Sequence, residues 1–159
     1  MSEPNEQTLA DELGKLNVGG RLAAPHLPTH KFEIVIEVRS EPTGAAAAFS
    51  NAIARVGRLI NVDPAGPETT VAGVVGGGFL NLNPAVVEVR IASLGEGRCR
   101  ATLTGTAKEG LIMQRTGEKA VRRVLDACEL AGIRLPPRLE RQSEARSDMH
   151  GDSRHSETP

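Results

Sequence analysis

Hydrophobic and polar residues alternate strictly over Lys31–Arg39, where Phe32, Ile34, Ile36 and Val38 interleave with Lys31, Glu33, Val35, Glu37 and Arg39. A period of two predicts a strand with one wet face, as in an antiparallel sheet. Ser40-Glu41-Pro42-Thr43 then carries helix-start signals: Ser40 or Thr43 as cap and Pro42 in the first turn. Beyond them Phe49, Ala52, Ile53, Val56 and Ile60 fall on one helical stripe, and Gly57 is placed to end the helix. Ala45 to Ala48 give that helix a narrow profile.

Four further segments read as strands. Arg58–Val62 and Thr69–Val75 read as a hairpin around Asp63-Pro64-Ala65-Gly66-Pro67. Gly76 to Pro84 reads as an irregular crossing. Ala85–Leu94 and Arg98–Ala107 read as a second hairpin around Gly95-Glu96-Gly97, with Cys99, Ala101 and Leu103 inward. A closing helix is expected from about Met113 to Ala131, or from Thr116 as cap, with Val121, Val124, Leu125 and Cys128 buried. The expected fold is a two-layer α+β domain. Its antiparallel sheet has about five strands with two helices on one face, in the order β-α-β-β-β-β-α.

Outside this pattern the chain changes character. Residues 1–30 read as a tail, with Leu9, Leu13 and Leu16 on one side of a short helix. Residues 31–132 form the single domain. Residues 133–159 are polar and charge-mixed and read as a disordered tail.

Composition narrows the function classes. Phe32, Phe49 and Phe79 are the only aromatic residues, so the core is aliphatic and base-stacking platforms are missing. The net charge of −1 is evenly spread, which argues against nucleic acid as a partner. No run is long enough to span a membrane and no secretory signal leads the chain, which points to the cytoplasm. Cys99 and Cys128 read as small core residues rather than a disulfide.

Gly73, Gly76, Gly77 and Gly78 invite comparison with a phosphate loop. The spacing G-x-x-G-G-G and the following Phe79-Leu80-Asn81-Leu82-Asn83-Pro84 lack both the helix that dinucleotide sites require and a P-loop lysine. The run reads instead as a strand end where another backbone approaches closely. His26, His30, His150 and His155 fall in the expected tails, so neither metal ligation nor histidine acid–base chemistry is expected, and no cofactor is expected. Arg115, Lys119 and Arg122 share a helix face with Glu118 and read as solvated.

The strand with Ser-Glu-Pro, the stretch GFLNLNPAVVEVRI and the stretch AKEGLIMQRTGEKAVRRVLDACE together resemble a small type of bacterial α+β domain. That resemblance implies no catalytic residues. The opening strand-Ser-x-Pro-helix and the long closing helix also resemble helix-grip domains of the START and polyketide-cyclase type. That second resemblance implies an apolar ligand cavity between Phe49, Ile53, Val87, Val89, Val121 and Leu125.

The resulting expectation is a non-enzymatic module that binds a partner protein or a small apolar ligand, or associates with itself. A binding rim is expected at Gly76, Gly77, Phe79, Asn81, Asn83 and Arg115. The alternatives are a small enzyme using Glu109, Lys108 or Arg115 at the sheet's end, and a structural subunit whose tails order in a complex.

Overall fold

The computed structural model describes residues 28–64, 66–77, 83–109 and 115–130. In chain order the elements are β1 (Thr29–Val38), α1 (Pro42–Val56), β2 (Gly57–Asp63), β3 (Glu68–Gly77), β4 (Asn83–Gly95), β5 (Arg98–Lys108) and α2 (Thr116–Leu130). The expected order is the observed one. All pairings are antiparallel and the sheet runs β1-β5-β4-β3-β2. The first strand therefore lies beside the last, and β1 and β2 are the two edges.

Both helices pack on one face of the sheet and touch each other, α1 chiefly over β2 and β3, α2 chiefly over β5 and β4. The core between the layers is aliphatic apart from Phe49. Phe49, Ile53, Val71, Val87, Val89, Leu103 and Val121 are fully buried. Each such side chain contributes about 1.5–3 kcal/mol through its removal from water. Cys99 and Cys128 are buried free thiols in the same core. Burial, with a lesser push from Glu41, raises the Cys99 thiol above its usual value. Burial, then Glu129, pushes the Cys128 thiol up to about 12.

Several local expectations change. Neither Ser40 nor Thr43 caps α1: Glu41 holds the cap position with no side-chain cap bond, and the Ser40 hydroxyl donates to the Glu41 carbonyl at 3.1 Å. Ile60 belongs to β2, not to the helical stripe, and is 43% exposed. Gly57 ends α1 and opens β2 without a loop. A side chain there would meet the Val74 carbonyl and, at 3.0 Å, Val75 Cα. The glycine run also extends further as strand than its composition suggests: Gly76 pairs with Pro84 and Gly77 with Asn83. His30 lies in β1, paired with Ala107, rather than in a tail. The β4–β5 turn matches its glycines, with Gly95, Glu96 and Gly97 at φ 79°, 54° and 68°.

The outward face of the sheet is wet along most of its length. Thr104 Oγ1 donates to Glu33 at 3.3 Å, and Arg90 lies 3.8 Å from both Glu33 and Glu88. It is not wet everywhere. Val74 and Val86 form a second small cluster there, next to the buried Thr106. Strict alternation hides this, because these residues sit at positions that read as outward.

Candidate functional site

Strand direction gathers one group of chemistry-bearing residues at a single end of the sheet. There β1 begins, β3 and β5 finish, β4 begins and α2 starts. Gly76, Gly77, Asn83, Lys108 and Glu109 of the expected site lie at this end, and Arg115 directly precedes α2. Phe79 and Asn81 lie outside the described residues.

Glu109 organises this end. Its side chain is buried, and Oε1 accepts a hydrogen bond from the Thr116 amide at 2.5 Å. Its own amide donates to the Pro28 carbonyl at 3.1 Å. A carboxylate at a helix N-terminus satisfies a donor that has no partner inside the helix and complements the helix dipole. The need for it is local. The Arg115 carbonyl accepts the first helical bond, from the Lys119 amide at 3.0 Å, so Arg115 holds the cap position. Arginine has no acceptor with which to cap. Thr116, expected as cap, is instead the first helical residue, and its buried hydroxyl has no hydrogen-bond partner among the described residues. Arg115 itself is left-handed at φ 52°, exposed, and 4.0 Å from Glu118. Glu118 also takes two bonds from Arg122, at 2.8 and 3.0 Å, so this helix face is the solvated, paired surface its composition suggests.

α2 lies against β5 at backbone distance. A side-chain carbon on Gly105 would collide with the Gly117 carbonyl group and with Val121, and one on Gly117 would lie 2.5 Å from the Gly105 oxygen. Further along α2, Arg123 Nη1 donates to the Gly76 carbonyl at 2.5 Å, fastening the helix to the end of β3. Sequence reading did not single out Arg123. Its signal is an arginine between Val121 and Val124, beside rather than on the charged stripe. Of the six side chains expected around an apolar cavity, Phe49, Ile53, Val87, Val89 and Val121 are fully buried in one core cluster, and Leu125 packs against it.

The β2 edge differs in kind. Every residue from Gly57 to Asp63 is exposed except the half-buried Leu59. Ile60 and Val62 are among the few large apolar side chains left open, at 43% and 41%. The ladder to β3 shifts between Leu59 and Asn61, leaving Ile60 as a bulge. At the opposite edge, β1 shows the outward row Lys31, Glu33, Val35 and Glu37.

No protein-family model matches the sequence, and no curated protein matches it. Among solved structures, the Mll3558 protein from Rhizobium loti aligns at 16% identity and TM-score 0.37, over 67% of this chain and 97% of that one. Ara h 8.0201 aligns at 10% identity and TM-score 0.35, over 65% and 97%. The di-domain ARO/CYC BexL from the BE-7585A biosynthetic pathway aligns at 10% identity and TM-score 0.30, over 79% of this chain and 56% of that one. Likeness at this level adds nothing to the strand order and register already described. Among the described residues, no helix is long and apolar enough to cross a membrane.

Proposed function

We propose that this chain is a non-enzymatic binding module that takes up a protein partner by strand addition along β2. The observation that carries the reading is the bare edge: a strand exposed along nearly its whole length, with Ile60 and Val62 uncovered. An edge strand offers unpaired amide and carbonyl groups, and main-chain pairing supplies affinity while alternate side chains supply selectivity. The outward row of β1, charged apart from the exposed Val35, supports a preference for this edge.

A second reading has an observation of its own. The sheet end at Gly76, Gly77, Asn83 and Arg115 serves as a rim for a small apolar ligand. Arg115 holds a left-handed backbone there, and Thr116 keeps a buried hydroxyl without a partner among the described residues; strained positions gather at functional sites. The enzyme alternative at Lys108, Glu109 and Arg115 draws less support. The Glu109 carboxylate is engaged with the start of α2, and the Arg115 side chain faces Glu118.

Hydrogen exchange on dilute protein tests the main reading. The amides of Gly57–Asp63 that do not face β3 should exchange far faster than those of the central strand β4. Equal protection in dilute protein would mean that the edge is already covered, and would overturn strand addition. Native mass spectrometry on freshly purified protein checks the second reading, which requires a bound small mass.

A further inference from the structure

Resting on that reading of β2, we infer that the strand it accepts is β2 of a second copy, paired antiparallel about a two-fold axis that passes between Ile60 and Asn61. The argument starts from the bulge. Residues opposite each other in an antiparallel pair share a face. Leu59 pairs with Gly73, whose missing side chain would meet Ile53 of α1, and Val62 pairs with the core residue Val71. Leu59 and Val62 therefore lie on the helix-bearing face, although they are an odd step of three residues apart. Arg58 pairs with Val74 of the outward cluster and Asp63 with Thr70, so both lie on the outward face. In a strand without a bulge, neither pair could share a face.

A bulge commonly protects an edge from pairing. Here it brings the faces into agreement for self-pairing. About the proposed axis, Arg58 of each copy stands opposite Asp63 of the other, and Leu59 stands opposite Val62. Every one of these contacts occurs twice and every one matches in face. Val74 and Thr70, the β3 partners of Arg58 and Asp63, are four residues apart on an unbroken ladder. The two positions therefore also agree in hydrogen-bond phase. Shifting the register by one residue sets Arg58 opposite Val62, on opposite faces. Isologous pairing of this kind closes on itself and yields a dimer whose sheet runs continuously through both copies.

Arg58 and Asp63 also make contacts within their own chain. Their pairing across the axis therefore chooses the register more than it supplies affinity; the apolar pair Leu59–Val62 and the main-chain bonds supply that.

Sedimentation velocity over a concentration series on the full chain, with charge exchanges, tests the register. The wild type should dimerise. Arg58→Asp and Asp63→Arg should each weaken the dimer about tenfold, because each sets like charges opposite one another twice. The double variant Arg58→Asp with Asp63→Arg should return to within about threefold of wild type, because the opposite-charge pairs are re-formed in reverse. Circular dichroism of each variant confirms that the monomer folds. A wild type that stays monomeric at the highest concentration overturns the inference, as does a double variant no better than the singles. If β2 nevertheless exchanges freely in dilute protein, strand addition survives and only the identity or register of the partner is lost.

Discussion

Two sides of this sheet, the β5 side under α2 and the β2 edge, are built in opposite ways. On the β5 side, Gly105 and Gly117 let a helix and a strand meet at backbone distance, and Glu109 ties the helix start to the strand end. On the β2 side, the edge strand carries Ile60 and Val62 to the surface. Small residues and a buried carboxylate close the first flank against α2, with β1 as the edge beyond it. The other flank carries exposed apolar side chains on an edge strand. The first fastens α2 to the sheet, and the second is the surface on which the proposed strand addition rests.

The contrast breaks most severely at the closed flank. Gly105→Ala should destabilise the fold by about 3 kcal/mol, the upper range for overpacking, since its new atom meets backbone rather than a movable side chain. Urea unfolding measures this, and Gly117→Ala should behave alike. In the double variant the two costs should not add, because both changes strain one contact. Glu109→Ala should cost about 2 kcal/mol by leaving the buried Thr116 amide without its acceptor. Glu109→Gln, which keeps an acceptor, should recover part of that loss in the same assay.

Alkaline titration sharpens the picture of the core between the flanks. The Cys128 thiol is pushed up to about 12 in the fold, from a usual 9.0. Above that usual value the unfolded chain releases a proton that the fold retains. The contribution is thus fully present below pH 9.0 and is lost as pH rises toward about 12. Cys128→Ala should flatten that limb of the stability curve, read by denaturant midpoints across the alkaline range.

Two changes should scarcely alter monomer stability. Val62→Lys at the open flank should shift it by no more than about 0.5 kcal/mol, yet remove association in sedimentation. Arg115→Gly relieves a left-handed arginine. Net of glycine's greater freedom when unfolded, thermal unfolding should show a gain of about 0.5 kcal/mol.

The element order and the inward faces were legible because alternation and helical stripes report burial directly. Val38, Phe49, Val87, Leu103 and Val121 all fall where the pattern puts them. What escaped depends on the third dimension. Ile60 continues a helical stripe numerically, but Gly57 turns the chain before it, and only the ladder to β3 reveals the bulge. Glu109 reads as a candidate residue of a small-enzyme site until the start of α2 is seen to lack a capping side chain. Arg123 stands out only by its place between Val121 and Val124, which does not reveal that it reaches Gly76. Gly76, Gly77 and Asn83 read as parts of an irregular crossing, whereas they pair in the β3–β4 ladder, which glycine-rich sequence does not announce.

Hydrogen exchange at two protein concentrations bears most directly on the open flank. In dilute protein, the amides of Gly57–Asp63 that face away from β3 should exchange quickly. In concentrated protein they should become protected, while β1 at the far edge stays unchanged. Equal exchange of β2 at both concentrations, or new protection on β1 instead, would contradict the account.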